Sequence, residues 1–211
     1  MSDKTPAPDW MAPTGRGWRA LEEREVYQNP WIRLREFQAE APTGARTVYG
    51  LIGFKNMAMA VLPIFADGRI VLVGQHRFPA GDYSWEIPEG GAPVGSDPLE
   101  GAQRELREET GLEAQTWTQV MRFQLSNSVT DEHGYGFIAT GLRQEEAEPD
   151  PTEALCVVRI AFREALEQVF AGRIQDLITV AMLLRAYHMA SEGQLAGPLA
   201  DAMLARTGET R

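Results

Sequence analysis

Gly90 to Leu112 reads GGAPVGSDPLEGAQRELREETGL, and this stretch decides the fold. Its second half places carboxylates at Glu105, Glu108 and Glu109, with Arg104 immediately before them. Residues three and four apart share one face of a helix, so the three glutamates form one acidic patch with Arg104 beside it. Like charges at that spacing repel and weaken an isolated helix. A divalent cation removes the repulsion, and hard oxygen ligands suit Mg²⁺, Mn²⁺ or Ca²⁺. The helix has clear ends. Asp97 is a good N-cap, Pro98 fits the first turn, and Glu100 stands where a capping box needs it. Gly111 ends the helix at a C′-type position. Upstream, Pro88, Gly90, Gly91, Pro93 and Gly95 predict a shaped loop.

Working outward, 211 residues suffice for one domain with a sizeable core, or one domain plus a small appendage. The formal net charge of −10, with no Lys/Arg run, argues against nucleic acid as a partner. Cys156 is the only cysteine, which rules out an intrachain disulfide. Its run from Ala154 to Phe162 reads as a strand, so a buried structural thiol is expected. The opening MSDKTPAPDWMAPTG lacks the apolar core of a signal peptide, and no run is long enough to cross a membrane. A cytoplasmic protein is expected, with residues 1–15 disordered.

Trp31 to Phe37 alternates apolar with polar residues, as a half-buried strand does. Pro42-Thr43-Gly44 reads as a turn and Arg46 to Phe54 as the return strand. Met57 to Phe65 is continuously apolar and reads as a buried strand. Asp67-Gly68 predicts a tight turn, with Arg69 to His76 pairing back on that strand. Thr116 to Leu125 and Tyr135 to Leu142 read as strands around a polar loop, Ser126 to Gly134. Phe162 to Phe170 and Gln175 to Ala190 have helical spacing. In the second, Leu177, Val180, Ala181 and Leu184 form an apolar stripe, expected to pack in the core or at a dimer contact. The fold class is α/β, a mixed sheet flanked by helices with extra N-terminal strands. The expected division is 1–15, then a strand subdomain at 16–55, then the main domain at 56–211.

At the opening stretch the sequence resembles the Nudix hydrolases, whose box is G-x5-E-x7-R-E-U-x-E-E-x-G-U with U apolar. Gly90, Arg104, Glu105, Leu106, Glu108, Glu109, Gly111 and Leu112 match it, and Ser96 stands at the first glutamate. In the family that glutamate braces the arginine; Glu100 offers a substitute charge. The resemblance implies the Nudix α/β/α sandwich and a Mg²⁺ or Mn²⁺ cofactor. It implies Glu105 and Glu109 as metal ligands, Glu108 as a further ligand or water bridge, and the main-chain oxygen of Glu89 as another.

Gln75-His-Arg-Phe-Pro79 and Tyr83-Ser-Trp-Glu-Ile-Pro-Glu-Gly-Gly91 look like the ADP-ribose pyrophosphatase and nucleoside-diphosphate-sugar branch. By that likeness Arg77 pairs with a diphosphate oxygen, as a planar guanidinium does well. Glu86 binds a sugar hydroxyl, and Gly90 lines the substrate site. Leu125 to Gly134 resembles a mobile loop whose glutamate, here Glu132, acts as general base. Glu108 or His133 is the alternative base. The N-terminal strands, by the same likeness, form a homodimer and bring Trp31 to a nucleobase; an interface tryptophan is the other reading. The implied reaction cleaves a nucleoside diphosphate sugar, of ADP-ribose or GDP-mannose type, to a nucleoside monophosphate and a sugar phosphate. Removal of pyrophosphate from an RNA 5′ end and a non-catalytic nucleotide-sugar sensor are the competing readings.

Overall fold

The strand Asn56–Pro63 has both faces buried, and the rest of its unit is arranged around it. In the computed structural model, which describes residues 7–145 and 154–205, its side chains alternate between two apolar clusters. Met57, Met59 and Val61 point to one, Ala60 and Leu62 to the other. A strand covered on both sides reads as a continuous apolar run, which explains why no polar residue interrupts it.

The described residues form ten strands and four helices. The strands are β1 Arg19–Gln28, β2 Ile32–Glu40, β3 Arg46–Phe54, β4 Asn56–Pro63, β5 Arg69–Arg77, β6 Asp82–Glu86, β7 Glu89–Pro93, β8 Leu112–Gln124, β9 His133–Gln144 and β10 Cys156–Ala161. The helices are α1 Pro98–Thr110, α2 Phe162–Phe170, α3 Leu177–Ser191 and α4 Gly197–Leu204. No helix among the described residues is long and apolar enough to cross a membrane. The disorder expected for residues 1–15 falls partly on residues 1–6, outside the described residues; Asp9–Met11 form a short 3-10 turn.

Two compact units result. The first takes the described chain up to Phe54 together with Ser128–Asp131; the second takes Lys55–Asn127 and the described chain from Glu132 onward. The first unit is an antiparallel sheet in the order β1-β2-β3. Asn29 makes its first corner, its side-chain oxygen accepting from the backbone N–H groups of Trp31 and Ile32. The second corner holds Gly44 at φ +91°, which favours glycine. This sheet buries very little: Ala39 is its one fully buried apolar residue among those described.

In the second unit β4 lies between β7 and β9 in a mixed four-stranded sheet, β7-β4-β9-β8, parallel only at β4–β9. A second, antiparallel sheet runs β10-β5-β6. Helix α1 covers one cluster through Ala102 and Leu106; α2, α3 and α4 cover the other through Phe162, Met182, Leu183 and Met203. This is an α/β/α arrangement.

Four expectations are corrected. The strand after Asp67-Gly68 does not pair back on β4 beyond a single bridge, Ile64 to Ile70. Both edges of β4 are taken by β7 and β9, so β5 joins β6 and β10 instead. The residues from Glu89 to Pro93 are strand β7, not loop, because they pair with Asn56–Ala60. Cys156 is exposed, since β10 is an edge strand. On α3 the core alternative for the stripe is corrected: Val180 packs against the core but Leu177 and Leu184 are exposed, while Ile178, Met182, Leu183 and Ala186 face the core. The helix is apolar nearly all round, so the stripe could be drawn on more than one face.

One buried contact fastens α3 to the β6–β7 connection. The Ile87 backbone N–H donates to the Thr179 hydroxyl at 3.0 Å, and both residues are wholly buried. Thr179→Val keeps the shape and removes the acceptor. It should destabilise the protein by about 1–3 kcal/mol, the usual loss when a buried donor is left unpaired. A denaturant midpoint equal to that of the wild type would show that this bond carries no weight.

Candidate active site

Helix α1 forms as its ends predict. Asp97 accepts a hydrogen bond from the Leu99 N–H at 2.8 Å, and Gly111 adopts φ +67°. The helix lies against β7, where Gly90 decides the distance. A Cβ on Gly90 would come within 2.2 Å of the Glu105 carboxyl. Glycine in a strand interior marks such a close approach.

The acidic patch is therefore not a solvated helix face. Glu105 and Glu109 are 8% and 6% exposed. The Glu89 N–H donates to Glu109 at 3.1 Å. Arg104 holds the remaining members: it donates to Glu108 at 2.6 Å, to Glu105 at 2.7 Å and to the Gly91 carbonyl at 2.7 Å. Burial raises the Glu105 pKa, outweighing the attraction of Arg104. Burial also lowers that of Arg104, but Glu105 and Glu108 together raise it on balance. Ser96 does not brace the arginine; its hydroxyl donates to the Pro93 carbonyl at 2.8 Å and shapes the turn into α1. Glu100 is exposed.

A second group of carboxylates lies beside the first. Glu86, Glu89 and Asp176 each bring a carboxylate oxygen within 4.8 Å of the others. Arg77 sits among them, its Nε donating to both Glu86 oxygens at 3.0 and 3.1 Å and its Nη2 to Glu89 at 3.1 Å. The hydrogen bond to Glu86 raises the Arg77 pKa. Glu89 is pushed well above the usual carboxylate range, first by burial and then by the charges of Asp176 and Glu86. Its Oε2 is shut off from solvent and has no hydrogen-bond partner. So many carboxylates with two arginines to offset them, and one oxygen unsatisfied, form a hard-oxygen donor set suited to a divalent cation.

Sequence reasoning missed Asp176. Its carboxylate accepts from the Thr179 N–H at 2.6 Å as the N-cap of α3. The capping pattern was readable; its place beside Glu86 was not, because ninety residues of chain separate the two. Asp176, Arg173 and Gln175 also line, with Arg77, Tyr83 and Glu86, an open polar cavity of about 320 Å³.

Glu132 is half-buried and immediately precedes β9. Ala58 of β4 is paired with Gly134 on one side and with Gly91 on the other. Two strand spacings, on the order of 10 Å, therefore separate the start of β9 from the Gly90-Gly91 strand. His133 packs edge-on to Tyr135. Trp31 belongs to the first unit and is 66% exposed.

Comparison with known proteins agrees with this geometry. The NUDIX domain model matches residues 55–177. The model of the nucleoside diphosphate sugar hydrolase N-terminal domain matches residues 18–52. An ADP-ribose pyrophosphatase of Mycobacterium tuberculosis is 33% identical over 83% of this chain and 86% of its own. A methanol dehydrogenase activator of Bacillus methanolicus is 30% identical over 77% of this chain and 88% of its own. The crystal structure of an ADP compounds hydrolase superposes with a TM-score of 0.77 at 20% identity, over 87% of this chain and all of that one.

The raised Glu89 pKa gives a pH test. A carboxyl whose pKa is raised by folding stabilises fully below its unfolded pKa, and that contribution is lost as pH rises through the folded value. Glu89→Gln stays neutral. In the presence of a chelator its Tm, measured against wild type, should therefore rise progressively as pH climbs above the ordinary carboxylate range. A Tm difference that is flat with pH would contradict burial of this charge.

Proposed function

The chain belongs to the Nudix hydrolase family, and from that premise we propose that it cleaves nucleoside diphosphate sugars of the ADP-ribose or GDP-mannose type. The products are a nucleoside monophosphate and a sugar phosphate. The observation that carries the reading is the pair of buried carboxylates, Glu105 and Glu109, pressed against β7 and linked through Glu89 to Arg77, which lines a polar cavity. The N-terminal match to sugar-nucleotide hydrolases supports the substrate class.

Glu105, Glu109, the main-chain oxygen of Glu89, and Glu108 directly or through water would hold Mg²⁺ or Mn²⁺. When bound, such an ion neutralises phosphate oxygens and activates water. Arg104 pairs with Glu105 and Glu108 and would hold both carboxylates beside such an ion. Arg77 offers its guanidinium to a diphosphate oxygen, with Glu86 and Glu89 setting its plane. Glu86 keeps oxygen lone pairs for a sugar hydroxyl at the cavity wall. Glu132 accepts the proton of the water that attacks phosphorus, and the phosphate ester on the far side leaves with the electron pair of the broken P–O bond. Acting on soluble metabolites, the protein works in the cytoplasm.

A panel of nucleotide sugars, assayed for both products with and without Mg²⁺, tests the reading. Glu109→Gln should retain its fold and lose at least ~100-fold in turnover, the scale of losing an activated water. Wild-type turnover in that variant at saturating Mg²⁺ would remove the basis of the mechanism.

We also propose a homodimer formed through residues 16–55, with Trp31 at a nucleobase. Trp18, Tyr27, Trp31 and Val48 are each more than half exposed on a sheet that buries almost nothing. Exposed aromatic and apolar side chains on so small a unit support an interaction role for it. Light scattering at micromolar concentration should give twice the chain mass; a clean monomer refutes it.

A further inference from the structure

Asp176 caps α3 and also lines, with Arg77, Tyr83, Ser84 and Glu86, the open polar cavity of the second unit. The cap alone does not ask for an aspartate. Asparagine and serine start a helix as well, and neither carries a charge. Here the charge has a local cost, because Asp176 brings a carboxylate oxygen within 4.8 Å of those of Glu86 and Glu89. The helix dipole offsets part of that cost. A residue that breaks a local rule in the wall of a cavity points to a function there.

The Asp176 side chain is held where it stands. Its Oδ2 accepts from the Thr179 N–H at 2.6 Å, and the Thr179 hydroxyl accepts from the Ile87 N–H at 3.0 Å. Ile87 directly follows Glu86, and both Ile87 and Thr179 are wholly buried. Two hydrogen bonds in series therefore tie Asp176 to the end of β6. Arg77 holds Glu86 in turn, its Nε donating to both carboxylate oxygens. The two carboxylates form a pair of acceptors in one cavity wall, positioned before any ligand arrives.

An ionised carboxylate only accepts, through about four lone-pair sites. Arg77 uses part of those on Glu86, and Thr179 uses one on Asp176. The sites that remain call for donors. An anionic group is repelled by them. A divalent cation would have to displace the Arg77 guanidinium, which donates to Glu86 and Glu89 together. Two neighbouring hydroxyls of an uncharged sugar fit without that displacement, since each O–H donates to one carboxylate and no charge is added. A cavity of about 320 Å³ is at the small end for ligand pockets and suits a single sugar ring.

We propose that Asp176 is a specificity-determining residue that, with Glu86, accepts hydrogen bonds from two neighbouring hydroxyls of the substrate's sugar. The inference rests on the chain hydrolysing nucleoside diphosphate sugars. It adds which group reads the sugar: substrates whose sugar keeps a free pair of neighbouring hydroxyls are preferred over those that have lost one.

The test is steady-state kinetics of the full chain with Mg²⁺ on ADP-ribose and on its analogue whose distal ribose lacks the 2-hydroxyl. Every pair of neighbouring hydroxyls on that ribose includes this one. A hydrogen bond to a charged group changes binding by roughly 10- to 100-fold, so the wild type should favour ADP-ribose by about that factor in kcat/KM. Asp176→Ser keeps an oxygen for the Thr179 N–H and withdraws the carboxylate from the cavity. Its Tm should match the wild type. Its KM for ADP-ribose should rise roughly 10- to 100-fold at nearly unchanged kcat, and its preference over the analogue should disappear. Asp176→Ala, which lacks the cap as well, should lose both Tm and preference.

If the wild type hydrolyses both substrates equally well, or Asp176→Ser keeps the full preference, Asp176 is a helix cap alone and the proposed reaction stands without it. If Asp176→Ser keeps the preference but needs more Mg²⁺ for half-maximal rate, the carboxylate serves a cation, which also overturns the proposal. If the wild type hydrolyses no nucleotide sugar, the reaction falls and the sugar contact with it.

Discussion

Helix α1 and strand β7 approach so closely that a single methyl group on Gly90 would overlap the Glu105 carboxyl. That approach brings Glu105 and Glu109 out of water and onto the backbone of β7. Charges removed from water this way are costly unless they are compensated. Arg104 and Arg77 supply part of the compensation, each shared between two carboxylates. The second unit holds this arrangement in place: β4 pairs with β7 along its edge, α3 ties down the β6–β7 connection through Thr179, and Asp97 starts α1 where it must start.

The two groups of carboxylates differ in origin. Glu105, Glu108 and Glu109 come from one helix, so their proximity follows from helical spacing. Glu86, Glu89 and Asp176 come from a strand end, the next strand and the cap of a distant helix. Arg77 joins the groups, since its partner Glu89 also donates its backbone N–H to Glu109. The residue on which the family likeness places a main-chain metal ligand is thus also the one whose side chain has an unsatisfied, buried oxygen.

The N-terminal sheet is a different kind of structure. Its cross-strand pairs, Arg19–Glu40, Arg24–Glu36 and Arg35–Glu23, each have one partner more than half exposed, and pairs open to solvent contribute little each. It buries almost no core and presents aromatic residues outward. What organises it is backbone pairing, extended at one edge by Ser128–Asp131.

The sequence by itself determined whatever depends on local spacing. The limits of α1 follow from Asp97, Pro98 and Gly111; the strand from Arg46 to Phe54 and the helix from Phe162 to Phe170 follow from their patterns; the acidic face follows from 3.6-residue periodicity. The tertiary structure decided everything that depends on which edge or face was already occupied. Strand β5 left β4 because β7 and β9 hold both of its edges. The Gly90-Gly91 stretch became a strand because β4 offered it a partner, and Cys156 is exposed because β10 ended up at a sheet edge. Asp176 arrived beside Glu86, and Asp131 beside Phe54, through contacts between segments far apart in the chain. Periodicity constrains a residue's neighbours within one element; pairing across elements is settled by competition among all of them for the same edges and the same buried surface.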